Sequence, residues 1–257
     1  MKRGGVVLGA KISVAGFLTS PVMGAAVATA TRYRVPNHGL WFDVRDREFT
    51  SRVRAALFWR LYEAAEIRMI RRHLGAATTV VELGASLGVT GAHIAASLAP
   101  GSRLLCVEAC PRLAEGLGRR LAPHAGHLTL ETENVAINDE TGPVELTLAG
   151  TNLDARLEGS ASAHRTTTVA GTTLRNLLDD RRIGEFDLVC DIEGAEASFL
   201  LGDPGALEGC RRAVFELHDT TFAGRAVTAG ELLEAACGLG FRVIERRGVV
   251  VAVSRDR

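Results

Sequence analysis

From residue 78 onward, β-branched apolar runs alternate with segments of helical spacing, and this alternation restricts the chain to one broad architecture. Thr78–Leu83 reads as a strand that enters a glycine-rich turn and a helix to about Leu98. Arg103–Glu108 is a second strand, and Pro111 opens a second helix at the first helical position, where its missing N–H costs nothing. Leu128–Ile137 reads as a third strand and Val144–Leu148 as an added one. A polar stretch over 150–168 reads as a surface loop, and Thr173–Leu178 as a short helix. Phe186–Asp191 and Arg212–Leu217 continue the strands, followed by helices at Ala195–Leu201 and Glu231–Leu239. Strands joined through helices pair in parallel, so the order predicts an α/β, doubly wound and mostly parallel sheet. Phe241–Glu245 and Val249–Val253 face each other about Arg246-Arg247-Gly248, which adds an antiparallel C-terminal hairpin.

The 257 residues carry 30 basic and 30 acidic side chains, and this neutral total argues against a protein that holds nucleic acid by neutralising phosphates. The balance hides an asymmetry: residues 1–77 hold 13 basic and 5 acidic side chains, residues 78–257 hold 17 and 25. The division expected is an N-terminal extension over 1–77 and a catalytic domain over 78–257. Within the extension, Ile12–Thr31 is uncharged, follows Lys2, Arg3 and Lys11, and ends near Ala28-Thr29-Ala30, formally a secretory leader. Ser13, Gly16, Thr19, Ser20, Pro21 and Gly24 dilute its apolar core, which favours an N-terminal helix or docking segment over a leader or an integral membrane span. Tyr33–Val35 and Leu40–Val44 flank Pro36-Asn37-His38-Gly39 as a short hairpin, and Val53–Leu74 has the apolar spacing of one long basic helix. Five scattered cysteines without a C-x-x-C pair give no disulfide framework or zinc set, and the cytoplasm is the compartment expected.

The chemistry is concentrated where strands end. In Val80–Gly88 a strand terminates at the acid Glu82, and Gly84, Ala85, Ser86 and Gly88 let the backbone approach a ligand above the sheet's carboxyl edge. The dinucleotide spacing G-x-G-x-x-G is absent, because Ser86 stands where its second glycine would be. Glu108 ends the second strand 20 residues after Gly88, placed to accept hydrogen bonds from two ribose hydroxyls. Asp191, Glu193 and Glu196 gather within six residues at another strand end, an arrangement that is costly unless cations or donors use it. Phe215-Glu216-Leu217-His218 closes the next strand, and His218 is the candidate base.

Together these segments resemble the FkbM family of S-adenosylmethionine-dependent methyltransferases, over about residues 60–253. The resemblance rests on Tyr62-Glu63, on the loop Glu82–Gly88, on Glu108, on Asn134–Ala136, on Asp191–Glu196 as Asp-x-Glu-Gly-x-Glu, and on Glu216–His218. It implies a class I, Rossmann-like, seven-stranded sheet and S-adenosylmethionine as cofactor. Contacts to that cofactor would come from Glu63, the glycine loop, Glu108 with Ala109, Asn134 with Ala136, and Asp191. Asp191, Glu193 and His218 would carry the chemistry, O-methylation of a sugar, polyketide or related natural product, with a small-molecule or glycan acceptor and a homo-oligomer as further expectations. No metal is expected; Asp191 and its neighbouring carboxylates are where a divalent cation would sit if one were used. Thr173-Leu174-Arg175 departs from the family's Thr-Leu-Asp, which moves that aspartate's role, if kept, to Asp179 or Asp180. Two rival readings remain at this level: an NAD-dependent oxidoreductase, and a catalytically silent cofactor-binding module supported by Arg175.

Overall fold

A computed structural model describes residues 16, 18–148 and 165–255. Cα packing divides the chain into two units, Met1–Ala64 with Thr147–Arg165 and Ala65–Leu146 with Thr166–Arg257.

In the first unit, Ser20 caps helix α1 (Pro21–Ala30), its hydroxyl accepting the Met23 N–H, with Pro21 opening the helix. Ala28 of the leader-like tripeptide is buried in this helix. The hairpin expected from the sequence is present as β1 (Arg34–Asn37) and β2 (Leu40–Asp43), turned by His38 and Gly39, both at positive φ. Buried Asn37 donates its amide to the Leu57 carbonyl at 2.8 Å, which ties the hairpin to α2 (Ser51–Phe58).

The single helix expected over Val53–Leu74 is instead two, α2 and α3 (Ala64–His73). Helix α2 ends in a Schellman motif: Leu61 N–H bonds the Ala56 carbonyl at 2.8 Å and Arg60 N–H bonds that of Leu57 at 3.0 Å. The left-handed residue of that motif is usually glycine, but here it is Arg60 at φ +58°. Apolar spacing continued through the stop, so the break carried no visible signal. Tyr62-Glu63 consequently lies in the bend between helices, with Glu63 at φ +43°.

The second unit is built on a seven-stranded sheet. Its parallel members are β3 (Thr79–Leu83), β4 (Arg103–Val107), β5 (Thr129–Glu133), β9 (Phe186–Cys190) and β10 (Cys210–Glu216). After a separate ribbon of β11 (Thr220–Phe222) and β12 (Arg225–Val227), the antiparallel pair β13 (Arg242–Arg247) and β14 (Val250–Ser254) completes it, in the order β13-β14-β10-β9-β3-β4-β5. The chain leaves β3 toward β4 and β5, then crosses back to β9 and β10, so the order reverses at β3, where open α/β sheets place ligands. Helices α4 (Val89–Ser97) and α5 (Pro111–Ala125) make the first two crossovers. Phe199 and Phe215 stack at 6.5 Å within a buried cluster that runs from Val81 to Val253.

Three local expectations need correction. The strand expected over Leu128–Ile137 is two: β5 stays in the main sheet, whereas β6 (Ala136–Ile137) turns away to pair with Gly171 and Thr172. That partner strand, β8 (Arg165–Thr172), lies between β6 and β7 (Gly142–Leu148) in a small sheet and occupies the end of the supposed polar loop; residues 149–164 lie outside the described residues. The helix expected over Ala195–Leu201 is a wide turn over Ser198–Gly202, then a tight one over Pro204–Leu207. Among the described residues, no helix is long and apolar enough to cross a membrane.

Candidate active site

The loop after β3 is held from three directions. Gly84 adopts φ +86°, and a Cβ there would lie 1.8 Å from the Asp191 carbonyl oxygen, so the loop packs on the end of β9 backbone to backbone. Ser86, at φ +47°, donates its N–H to Glu108 Oε2 at 2.7 Å. Arg120 of α5 donates to the carbonyls of Leu87 at 3.0 Å and Ser86 at 3.4 Å, and also to that of Leu113. Ala85 is fully buried and Gly88 begins α4 in a left-handed conformation.

Two acids lie beneath this loop. Glu82 is 1% exposed, and neither of its oxygens has a hydrogen-bond partner of good geometry among the described residues. Gly91 makes room for it: a Cβ there would be 2.7 Å from Glu82 Oε2. Burial pushes the Glu82 carboxyl up to about 7; the adjacent Cys106 thiol and Thr90 hydroxyl oppose this, and the charge of Glu108 adds to it. Glu108 accepts N–H bonds from Cys110 at Oε1 and Ser86 at Oε2, both 2.7 Å. Burial raises its pKa as well, against these bonds and the Arg120 charge. Each Glu108 oxygen keeps acceptor capacity beyond its backbone bond.

The Asn134 amide donates to the carbonyls of Glu108 at 2.8 Å and Ala109 at 3.0 Å, holding the β4 loop from the end of β5. Ala136 is buried in the small sheet. Glu63 belongs to the first unit.

The second constellation sits where β9 and β10 end side by side. His218 is ringed by four carboxylates: Nδ1 faces Glu196 Oε1 at 3.2 Å, and Nε2 lies 3.4 Å from Glu193 Oε2, 3.5 Å from Glu216 Oε1 and 3.8 Å from Asp191 Oδ1. Glu196 is completely buried, and its Oε1 also accepts the Ile192 N–H at 3.2 Å. Burial opposes a charge on His218, but the bonds to Glu196 and Glu216 and the charges of Glu196 and Glu193 outweigh it and raise the imidazole to about 10. At neutral pH the ring is therefore an imidazolium. Glu193 reaches it from a left-handed backbone, φ +54°, with Gly194 following at φ +104°.

Sequence reasoning passed over three participants. Glu216 stood in the motif but was given no role. Arg120 sits on an amphipathic helix among other arginines, where nothing marks the one that bonds loop carbonyls. Glu66, buried on α3, carries an oxygen within 4.8 Å of one on Asp191; an acid amid apolar helix positions was its only signal. Arg175, in contrast, turns to the surface and pairs with Asp203 at 2.5 and 2.8 Å, while Thr173 caps the helix α6 (Leu174–Asp180). A surface ion pair with Asp203 gives Arg175 a structural role at this departure from Thr-Leu-Asp.

A reversing parallel sheet with an added antiparallel pair, a glycine loop over one buried acid and a second acid at the next strand end define a class I S-adenosylmethionine-dependent methyltransferase. The chain belongs to the FkbM methyltransferase family: the model described as "Methyltransferase FkbM domain" matches residues 82–243. The NAD-dependent reading is thereby set aside. No curated protein matches the chain. Solved structures with a similar fold include the O-methyltransferase TomG from Streptomyces achromogenes in complex with S-adenosylmethionine, 17% identical over 75% of this chain and 81% of that one, TM-score 0.44. The ribosomal protein L11 methylase from Lactobacillus delbrueckii subsp. bulgaricus is 12% identical over 77% and 80%, TM-score 0.43. The SAH-bound N-terminal domain of EvdMO1 is 14% identical over 75% and 80%, TM-score 0.42. The assignment rests on the family match and the site geometry rather than on these distant likenesses.

S-adenosylmethionine is the cofactor of this family, and the residues present fit it. Buried Glu82, whose oxygens have no partner of good geometry among the described residues, offers acceptors for the cofactor's ammonium group. Glu108 has lone pairs left for ribose hydroxyls.

Proposed function

We propose that this methyltransferase acts on oxygen, methylating a hydroxyl of a sugar, polyketide or related small natural product. The observation that carries the reading is the carboxylate-ringed His218 beside Asp191, whose own carbonyl packs against the glycine loop at Gly84. A hydroxyl is a weak nucleophile that must shed a proton, and this is the group of side chains able to receive or stabilise it.

When bound, S-adenosylmethionine supplies a methyl carbon made electrophilic by its sulfonium. The chain's task is alignment and proton management. Glu82 and Glu108 hold the ends of the cofactor, and Arg120 keeps the loop between them fixed. An imidazolium accepts no proton, so in the cation-free protein the proton-accepting role passes from His218 to Asp191. His218 then holds the carboxylates in place, and half-exposed Glu193 is available to the acceptor. Acceptor specificity is assigned to residues 1–50 and the 150–168 region, outside the motifs shared by the family.

The test uses S-adenosylmethionine labelled in its methyl group and a panel of sugar and polyketide alcohols alongside amine and thiol analogues. Label recovered in an alkali-stable ether supports the reading. Label confined to amines or thiols overturns it.

A further inference from the structure

We propose that Asp191, Glu193 and His218 form a binding site for a divalent cation of the Mn2+ class, with Glu196 as the positioning residue behind the imidazole. One ligand atom from each of the three lies within 4.8 Å of the others. Asp191 follows β9 directly and His218 lies just past β10, so two parallel neighbours in one sheet fix their spacing. Glu193 comes back toward them through its left-handed backbone.

The imidazole is oriented as a metal ligand's is. Its Nδ1 faces Glu196 Oε1, and Glu196 is itself fixed by the Ile192 N–H, which leaves Nε2 directed at Glu193 Oε2, 3.4 Å away, and Asp191 Oδ1, 3.8 Å away. Both separations are long for a hydrogen bond, as is the 3.5 Å to Glu216 Oε1, so Nε2 has no partner of good geometry among the described residues. Two ligand atoms bound to one small divalent ion at ~2.1 Å stand roughly 3–3.6 Å apart. The separation of Nε2 from Glu193 Oε2, 3.4 Å, falls within this range, and that from Asp191 Oδ1, 3.8 Å, lies just beyond it.

A second observation comes from charge. Glu196 is 0% exposed, its carboxylate is turned onto this imidazole, and its Oε2 has no hydrogen-bond partner among the described residues. Glu216 and Glu66, both buried, add carboxylates beside the same group. Four carboxylates thus converge on one imidazole, a donor set suited to a divalent ion. Two carboxylates, one imidazole and no thiolate suit Mn2+ better than the thiolate-seeking metals, and three protein ligands leave coordination positions open.

On binding, the cation takes the place of the Nε2 proton, which leaves to solvent. An acceptor hydroxyl in an open position would be acidified by the ion and lose its proton to water. Its oxygen pair then forms the O–CH3 bond as the C–S bond breaks and the sulfur keeps that pair. This deepens the O-methylation reading and rests on it for the hydroxyl; cation binding itself is read without donor, acceptor or turnover.

The experiment is titration of the metal-stripped full chain with Mn2+, followed by electron paramagnetic resonance, with pulsed detection of nitrogen coupling. One bound Mn2+ with an imidazole nitrogen coupling is expected, together with at least tenfold weaker binding in Glu193→Gln and loss of the coupling in His218→Gln. Calorimetry with S-adenosylhomocysteine on the same variants shows that they remain folded. Absence of a bound Mn2+ in the wild type, absence of nitrogen coupling, or equal affinity in both variants overturns the site. Mn2+ bound as described, with label found only on amines or thiols, keeps the site and overturns the acceptor assignment.

Discussion

Gly84 and Asp191 touch through their backbones, and no side chain can be inserted between them: a Cβ on Gly84 would sit 1.8 Å from the Asp191 carbonyl oxygen. The glycine loop and the end of β9 at Asp191 are therefore one mechanical unit. Gly84→Ala must either move the loop or push β9 away, and it also strains φ +86°. We expect a loss of about 2 kcal/mol or more in urea unfolding and at least tenfold weaker S-adenosylhomocysteine binding by calorimetry. Wild-type values for both would show that the contact is dispensable.

Glu82 gives a pH dependence whose sign is unusual for a carboxylate. Its pKa rises from 4.5 to about 7 on folding, so the folded state binds the proton more tightly than the unfolded chain. Its contribution is complete below pH 4.5 and declines as pH rises through about 7. Glu82→Gln should melt higher than the wild type at pH 8, by roughly 3 kcal/mol at most, with the gap closing toward pH 5. The same variant should bind S-adenosylhomocysteine more weakly. Parallel melting curves across this range would refute the assignment.

Glu108 joins two backbone N–H groups, Ser86 and Cys110, from opposite sides of the cofactor edge. Gln at this position keeps one carbonyl acceptor and loses the charge. Affinity for S-adenosylhomocysteine is expected to fall about 10–100-fold. Calorimetry on Glu108→Gln decides the matter, and an unchanged dissociation constant would remove Glu108 from the site.

Glu245 absorbs part of the basic excess of α3. It meets His73 at 3.1 Å, Arg68 at 3.4 Å and Arg72 at 3.5 Å, with Arg247 of its own strand at 3.1 Å. The hydrogen bond from His73, then that from Arg247, lower its carboxyl from 4.5 to about 2. A depressed acid stabilises above its unfolded pKa and loses that effect as pH falls toward the folded one. Glu245→Gln should be less stable than the wild type at pH 6, and the difference should vanish between pH 4.5 and 2. Thermal melts in that window provide the check.

Arg175 makes a contrasting case. Its surface ion pair with Asp203 predicts little change in stability for Arg175→Ala and methyl transfer within about twofold of the wild type. A larger loss of transfer would return this position to the site.

The sheet and its strand ends were legible in the sequence because each depends on a local pattern: an apolar run, then an acid, then small residues. Glu82, Glu108, Asp191 and His218 could be placed at a common edge without coordinates, since parallel strands end on the same side. What stayed hidden were features set by backbone conformation or by distant partners. Arg60 stops a helix in a conformation normally left to glycine, and Ala136–Ile137 leaves the main sheet for a partner more than 30 residues away. The state of His218 was equally hidden. A lone histidine suggests a base, and only the convergence of Glu193, Glu196 and Glu216 from two strand ends makes it a cation.

The position of β14 between β10 and β13 has a consequence for biosynthesis. β10, which leads into His218, gains its outer neighbour only when residues 250–254 have been translated. A nascent chain halted before them leaves the outer edge of β10 open and able to pair with another strand. A frameshift within the final hairpin would expose that edge while sparing every residue of the proposed site.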